Sequence, residues 1–170
     1  LDRLSIVLYE VIGIKMMNKQ IAVLGTGANG SSVAADLTSN GLDVKLIDQW
    51  PEHVEKMRKD GLKIEMTNRT VETKVDAFHL CDVATFSDKF DIVLLFVKAY
   101  DTAWACELIK PYLKDDGILV GVQNCMMAEL ISDIVGANRT IGCVAELSSE
   151  LFNPGEIKRN TPPEGTWFGL

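Results

Sequence analysis

The chain has 170 residues, 47% of them hydrophobic, which is long enough for one domain with a buried core. A formal net charge of -7 and the lack of a Lys/Arg cluster argue against nucleic acid and anionic membranes as partners. No apolar run approaches the roughly 18 residues of a membrane-spanning helix. The four cysteines are widely spaced and form no metal-ligand or disulfide pattern, so we expect a reducing, cytoplasmic environment.

The N-terminal segment, residues 1–17, precedes the first strongly predicted strand. Charged side chains such as Glu10 interrupt its apolar stretches, and it lacks a small-residue cleavage site, so a signal peptide is not expected. Met16 or Met17 stands directly before the first strong strand, and either could begin the natural chain. We therefore interpret residues 1–17 as an N-terminal extension, with a short packed helix or strand as the alternative. Residues 18–170 are predicted to form the domain.

Strands and helices alternate from the start of this domain. Ile21–Leu24 is a continuous apolar run, which is typical of a parallel strand buried on both faces. A glycine-rich segment and a helix to about Asn40 follow, and Val44–Asp48 predicts the second strand. The next helix is expected to begin at Pro51 and end at Gly61, because proline favours the first helical position and glycine the residue after the last.

The middle of the chain changes character. Residues 62–80 alternate between apolar and polar side chains around a turn, which predicts a hairpin insertion. The apolar run at 92–97 predicts the strongest strand. Asp101 is expected to cap the helix that follows. The apolar stripe of that helix is predicted to consist of Trp104, Leu108 and Tyr112.

The last third of the chain continues the alternation. It predicts strands at 117–122 and 140–145, with a helix over residues 128–135 between them. A turn at 153–155 and an edge strand over 165–170 complete the pattern. Strands that alternate with helices predict the α/β class: a Rossmann-like, doubly wound, mostly parallel sheet with a hairpin insertion.

The glycine-rich segment joins the first predicted strand to the first helix and is predicted to bind dinucleotide phosphates. Gly25 permits a tight turn, Gly27 lets a pyrophosphate approach the backbone, and Gly30 lets the helix pack close to the strand. The helix N-terminus adds amide donors and a positive dipole. An ordinary glycine-rich turn is the alternative, but the strand-to-helix context favours the binding motif. The predicted phosphate-binding residues are Gly25, Thr26, Gly27, Ala28, Asn29 and Gly30.

Asp48 ends the second predicted strand, 23 residues after Gly25, close to the spacing of about 20 residues expected for a ribose-binding carboxylate. A carboxylate at this position accepts hydrogen bonds from both ribose hydroxyls and would repel a 2′-phosphate. Asp48 therefore favours NAD(H), with a solvated strand-end aspartate as the alternative. Lys56 and Arg58 on the next helix are expected to lie too far along it to offset this charge.

Polar residues also follow the later strands at the carboxyl edge of the sheet, where ligands of such folds bind. Lys98 can reach a cofactor ribose or phosphate or a substrate carboxylate, with a solvated loop lysine as the alternative. The Asn124 amide can both donate and accept, which suits a nicotinamide ribose hydroxyl and a substrate oxygen. Cys125 is interpreted as a plain small side chain because no activating base is placed near it. Met126 and Met127 are expected to serve in packing.

Several of these segments together resemble the ketopantoate reductase (2-dehydropantoate 2-reductase) family. The resemblance rests on residues 19–30, 53–64, 97–102, 123–124, 154–157 and 167–169. It implies an NADP(H)-dependent reduction of a small 2-oxo acid, ketopantoate, to pantoate on the route to pantothenate and coenzyme A. It also implies that Lys98 lies beside the cofactor, that Asn124 contacts the nicotinamide ribose and substrate, and that the backbone approaches the cofactor near Ser148.

The chain departs from the family pattern at three points. Cys125 stands where relatives carry glycine, and a β-carbon there would be strained if the backbone required a positive φ. The family's arginine after the second strand is missing, which leaves NAD(H) open as the cofactor. The general-acid lysine belongs to a helical domain expected after residue 170, so the chain alone should bind dinucleotide but turn over poorly.

Two other functions remain open from the sequence. One is an NAD-linked 2-hydroxyacid dehydrogenase of the same superfamily acting on a bulkier or branched 2-oxo acid, which both Asp48 and Cys125 favour. The other is a non-catalytic dinucleotide-sensing module. The surface left exposed without a second domain would be partly apolar, and it could support a homodimer.

Overall fold

The structure is a computed structural model that describes Ile6, Val7, Gly13 and residues 15–170. From residue 15 onward the α-helices are α1 (Ala28–Ser39), α2 (Pro51–Asp60), α3 (Thr102–Ile109) and α4 (Ala128–Val135). The strands of the larger sheet are β1 (Ile21–Leu24), β2 (Val44–Asp48), β5 (Asp76–His79), β6 (Phe90–Leu95), β7 (Leu113–Val122), β8 (Thr140–Glu146) and β11 (Trp167–Gly169). The strands of the smaller sheet are β3 (Leu62–Glu65), β4 (Thr70–Thr73), β9 (Ser149–Asn153) and β10 (Glu156–Arg159).

The larger sheet confirms the predicted fold class. Its strand order is β5-β2-β1-β6-β7-β8-β11, and all neighbours run parallel except β11, which is antiparallel to β8. The chain starts at β1, winds outward through β2 to β5, and then returns to build the other half from β6. The strand order therefore reverses between β1 and β6, and this switch point is where such sheets bind ligands.

The central strand β1 is buried on both faces, as its continuous apolar run predicted. All four of its residues are buried, and their side chains alternate between two cores. Ile21 and Val23 pack with residues of α1, whereas Ala22 and Leu24 pack with residues of α3 and α4. A strand covered by helices on both faces has no position for a polar side chain, so the alternating pattern of a half-exposed strand is absent.

The predicted hairpin insertion is correct for half of its length. β3 and β4 pair antiparallel, and the Met66 N–H donates to the Arg69 carbonyl across the turn. Residues 76–79, however, form β5 and pair with β2 at the edge of the larger sheet. The hairpin is also not isolated, because β3 pairs with β10, which pairs with β9 to complete the smaller sheet in the order β4-β3-β10-β9.

The tail agrees with the sequence more closely. The predicted turn at 153–155 connects β9 to β10, and the predicted edge strand is observed as the shorter β11. Most of the predicted extension at 1–17 lies outside the described residues. Met16, at its end, is buried in the core beside α1, and Val7 packs against the same core.

The predictions for α3 were wrong in two respects. Asp101 occupies the cap position but its side chain caps no backbone amide; Oδ1 instead accepts a hydrogen bond from Trp104 Nε1 at 2.7 Å. The buried face of the helix consists of Thr102, Ala105, Cys106 and Ile109. The expected stripe fails because α3 ends at Ile109 and a 3-10 turn with a proline follows, so Tyr112 is not on the helix.

Candidate functional site

Two adjoining cavities form one groove across the carboxyl edge of the larger sheet. They have volumes of about 260 Å³ and 350 Å³ and share four lining residues, Gly27, Phe96, Val97 and Lys98. The first cavity extends toward the end of β2, and the second toward the ends of β7 and β8. The groove therefore crosses the switch point. It has room for an elongated ligand whose two end groups are joined by a linker.

The three glycines of the loop serve different purposes. Gly25 has a φ of 91°, and a β-carbon there would lie 2.9 Å from the Val97 backbone nitrogen. A β-carbon on Gly30 would collide with the Gly25 carbonyl oxygen. Gly27 differs, because its φ is -62° and no protein atom lies within 4 Å of the position its β-carbon would take. Nothing inside the protein requires glycine at 27, whereas a ligand approaching the backbone would.

The N-terminus of α1 meets the groove at its middle. Gly27 is the N-cap, no side chain caps the first turn, and the first turn holds no acidic residue. A 12-residue helix with such an end presents free amides and a positive dipole to an anion. Ala28, Asn29 and Gly30 line the second cavity. Asn29 Oδ1 is buried without a hydrogen-bond partner, so it too can accept from a ligand.

Asp48 lies in the first cavity with its carboxylate held in place. It is 8% exposed, its Oδ1 accepts from the Trp50 N–H at 2.9 Å, and its Oδ2 accepts from Thr26 Oγ1 at 3.3 Å. Thr26 itself is buried and lines neither cavity, so its side chain acts on Asp48 rather than on a ligand. Each carboxylate oxygen keeps accepting capacity for a ribose hydroxyl.

The basic side chains of Lys56 and Arg58 on α2 bind partners other than Asp48. Arg58 donates to Glu55, Asp82 and the Ala77 carbonyl, and Lys56 pairs with Asp60 at 2.9 Å. These contacts fit the expectation that neither side chain offsets the charge of Asp48.

The first cavity has aromatic walls that the sequence did not reveal as functional. It is lined by Trp50, Tyr100 and Trp104. Trp50 is fixed by its hydrogen bond to Glu52, and Trp104 by its bond to Asp101. Flat aromatic faces are suited to stacking against a base. Their positions in the sequence offer a signal, because all three residues closely follow β2 or β6 at the carboxyl edge.

Lys98 and Asn124 lie where the strand ends predict. Both are exposed; Lys98 lines both cavities and Asn124 lines the second. Gln123 was given no role in the sequence analysis. It is buried and donates from Nε2 to the Val97 carbonyl at 2.8 Å and to Thr102 Oγ1 at 2.9 Å. It thereby ties together the strand ends that carry Lys98 and Asn124.

Ser148 lies outside the groove lining. Its N–H donates to Thr161 Oγ1 and its hydroxyl accepts from Asn160, so it belongs to the tail. The next residue, Ser149, lines the second cavity and lies 2.9 Å from Ser32 Oγ on α1. The geometry therefore favours Ser149 over Ser148 as the tail residue that faces a ligand.

The replacement of glycine by Cys125 causes no backbone strain. Among the described residues, Asn18 is the one non-glycine position with a positive φ, so the concern about a β-carbon at Cys125 was wrong. Cys125 is exposed in the second cavity. The expectation that Met126 packs was also wrong, since it is 97% exposed, whereas Met127 packs against the core beside α3 and α4.

Two further features, a metal cluster and a membrane-spanning helix, were sought in the described part of the chain. No three His, Cys, Asp or Glu side chains in it are placed to hold a metal ion. None of the helices in that part combines the length and the apolar character that crossing a membrane requires.

Parallel sheets that bind dinucleotides do so at a switch point of this kind, with the phosphates on the helix after the first strand. This domain belongs to that fold class, the Rossmann-type α/β fold. The chain belongs to the ketopantoate reductase PanE/ApbA family, whose model matches residues 21–170. The resemblance seen in the sequence is thereby confirmed.

Individual relatives agree with this assignment. The chain is 31% identical over 148 residues to the 2-dehydropantoate 2-reductase of Nostoc sp., a match that covers 84% of this chain and 44% of the relative. The ternary structure of D-mandelate dehydrogenase with NADH and anilino(oxo)acetate is 27% identical, with a TM-score of 0.75 over 82% of this chain and 45% of that one. The 2-dehydropantoate 2-reductase of Geobacter metallireducens GS-15 is 28% identical, with a TM-score of 0.74 over 84% and 46%. The chain thus spans less than half the length of these relatives.

Proposed function

We propose that this chain is the cofactor-binding part of an NAD(P)H-dependent oxidoreductase that reduces a 2-oxo acid to a 2-hydroxy acid. Ketopantoate, reduced to pantoate, is the first substrate candidate because of the family. The observation that carries the proposal is the groove itself, with Asp48 at one end, the α1 N-terminus at the middle and Asn124 at the other end. When bound, the reduced nicotinamide supplies a hydride to the substrate carbonyl.

The polar and aromatic residues of the groove have separate binding roles in this proposal. The amides at Gly27 and the first turn of α1 bind the pyrophosphate, and Asp48 accepts from the adenosine ribose hydroxyls. The aromatic walls hold the adenine. Lys98 binds a ribose or phosphate oxygen, and Asn124 links the nicotinamide ribose to a substrate oxygen.

The cofactor preference follows from Asp48. The family resemblance favours NADP(H), but a carboxylate anchored at both oxygens cannot turn away from a 2′-phosphate. We therefore favour NAD(H), the cofactor in the D-mandelate dehydrogenase structure that this chain resembles.

The proton for the product hydroxyl is expected to come from outside this chain. Reduction of a ketone needs an acid beside the developing alkoxide. The ionisable side chains that line the second cavity are Lys98 and Cys125, and the family resemblance assigns Lys98 to the cofactor. We propose that residues 18–170 form the cofactor domain and that a helical domain after residue 170 supplies the acid. Residues 1–170 alone should bind dinucleotide without efficient turnover.

A second candidate is an NAD-linked 2-hydroxyacid dehydrogenase for a bulkier 2-oxo acid. Asp48 and the substitution at Cys125 favour it, as does the likeness to D-mandelate dehydrogenase. A protein that includes the expected helical domain should be assayed with ketopantoate and with phenylglyoxylate. A higher kcat/KM for phenylglyoxylate would select the second candidate.

A binding titration tests the common part of both candidates. Tryptophan fluorescence of the chain should change on addition of NADH, because Trp50 and Trp104 line the groove. A Gly27→Ala variant should fold normally, since its β-carbon meets no protein atom, yet should bind far more weakly. Gly165→Ala is a matched control, because a β-carbon there makes only ordinary contacts at 3.6 Å or more. If Gly27→Ala binds as well as the control, the phosphate assignment is wrong.

A further inference from the structure

His53 is a buried histidine on α2 whose two ring nitrogens both make hydrogen bonds. It has 0% exposure and lines neither cavity of the groove. Nδ1 accepts from the Gly155 N–H at 2.9 Å, and Nε2 lies 2.9 Å from the Thr26 carbonyl oxygen. The imidazole therefore joins the glycine loop to the turn between β9 and β10.

The hydrogen bonds determine where the ring proton lies. A backbone N–H can only donate, so Nδ1 must present its lone pair to Gly155, and the proton of the neutral ring is on Nε2. Nε2–H then donates to the Thr26 carbonyl. Ser31 Oγ donates to the same carbonyl oxygen at 2.6 Å and lies 3.3 Å from Nε2. Two buried donors thus hold one carbonyl of the loop.

Holding this carbonyl also sets the direction of the next amide. The peptide bond between Thr26 and Gly27 is trans and planar, so its C=O and N–H point in opposite directions. Because the Thr26 carbonyl is drawn toward His53 and Ser31, the Gly27 N–H is turned away from them. Gly27 is exposed and lines both cavities, and no internal acceptor for its N–H is found in the described part of the chain.

The other end of the linkage is anchored by the smaller sheet. The Gly155 carbonyl accepts from the Lys63 N–H of β3 at 2.9 Å, which fixes the turn that donates to His53. A β-carbon on Gly155 would lie 2.6 Å from Lys56 Cγ on α2, so the turn is packed closely against the helix that carries His53.

We propose that His53 is a positioning residue of the dinucleotide site, which orients the Thr26–Gly27 peptide so that the Gly27 N–H donates to the cofactor phosphate. This inference rests on the proposed function, and it adds that phosphate binding depends on a buried imidazole outside the groove. His53 acts only through the peptide and takes no part in the reaction.

Two substitutions separate the two hydrogen bonds of the ring. In His53→Gln the amide nitrogen can take the place of Nε2 and keep a donor for Thr26. In His53→Asn the shorter amide can keep an acceptor for Gly155 but cannot reach Thr26. Ser31→Ala removes the second donor to the same carbonyl and does not alter α2. All three chains are compared with the wild type at a temperature where circular dichroism shows each to be folded.

The ligands for the titration are ADP, which carries the pyrophosphate, and adenosine, which lacks it. We expect His53→Asn to weaken ADP binding about tenfold, the factor that 1.4 kcal/mol makes in an equilibrium constant. Ser31→Ala should act in the same direction, and His53→Gln should retain affinity within about threefold, as a preserved hydrogen bond allows. Adenosine binding should be the same in all four chains.

The outcomes distinguish this inference from the proposed function. Failure of the wild-type chain to bind NADH or ADP would refute the proposed function. Normal ADP binding by both His53→Asn and Ser31→Ala would overturn the inference while the function stands. An equal loss of adenosine and ADP affinity would also overturn it, because it would show that His53 supports the fold in general rather than the phosphate contact. If His53→Asn does not fold, Ser31→Ala and His53→Gln still decide the question.

Discussion

Substitution of Asp48 by asparagine should shift the cofactor preference from NADH toward NADPH. Asparagine has the same shape, and its carbonyl oxygen can still accept from the Trp50 N–H that now binds Asp48 Oδ1. The fold around the end of β2 should therefore persist. The negative charge is lost, and the amide nitrogen that replaces Oδ2 can donate to Thr26 Oγ1 but cannot accept from it. The carboxylate is 8% exposed and held at both oxygens, so in the wild type it cannot move away from a 2′-phosphate.

The size of the effect follows from the geometry. Two like unit charges about 4 Å apart repel by about 1 kcal/mol in water and about 4 kcal/mol at the effective dielectric near a protein surface. The screening around Asp48 lies between these limits, so we take the repulsion to be about 2 kcal/mol. Removing it should lower the dissociation constant of NADPH roughly 30-fold. NADH should bind about fivefold more weakly to Asp48→Asn, because ribose hydroxyls then donate to a neutral acceptor instead of a carboxylate.

Parallel fluorescence titrations of the wild type and the variant with NADH and NADPH provide the assay. Asp116→Asn is the matched control, because it removes the same charge from an exposed residue near the start of β7 and does not line the groove. The reasoning is refuted if the wild type binds NADPH as tightly as NADH, or if Asp48→Asn changes both affinities by the same factor.

Three predictions concern stability, each measured by urea unfolding. Arg159 is buried and donates to Asp36, Thr161 and Thr166, so Arg159→Ala should cost about 3 kcal/mol and the neighbouring exposed Lys158→Ala less than about 1. Although burial opposes it, hydrogen bonds from Lys114, the Gln20 amide and Lys19 lower the pKa of Asp91 to about 2. The stability that ionised Asp91 contributes should be present above pH 3.8 and lost as the pH falls toward 2. In Asp91→Asn the free energy of unfolding should lack this dependence on pH. Burial lowers the pKa of His53 against the opposing effects of the Thr26 hydrogen bond and the Asp48 charge. As the pH falls, this side chain is therefore protonated at a higher pH in the unfolded chain than in the folded one. Stability should therefore fall as the pH drops below 6.5, and His53→Gln should show less of this fall.

The parts of the molecule that sequence patterns predicted are those determined by local burial. β1 and residues 92–95 of β6 are buried throughout, so their apolar runs were unambiguous, whereas Lys45 interrupts the run in β2. The order of strand, glycine loop and helix then placed Gly27, Asp48, Lys98 and Asn124 at one edge, because the carboxyl ends of parallel strands meet there.

The parts that were missed depend on contacts between distant segments. β3 and β10 are short and of mixed polarity, and neither shows which strand it will pair with. Trp104 packs against the core, as its helical spacing indicated, but the spacing did not show that it also lines the groove. The bond between His53 and Gly155 joins residues 102 positions apart, and no local pattern announces it.

These distant contacts indicate that the smaller sheet supports the glycine loop and α1. Three polar bridges connect β9, β10 and their turn to the elements that carry the phosphate loop. Ser149 contacts Ser32 in the first half of α1, Gly155 donates to His53, and Arg159 donates to Asp36 near the end of α1. The bridges fasten α1 at two points along its length and fasten the loop before it at a third. Binding a phosphate with backbone amides requires that those amides be oriented before the ligand arrives, since ordering them on binding would cost affinity. We therefore regard residues 149–159 as part of the proposed dinucleotide site in function, although of these only Ser149 and Leu151 line the groove itself.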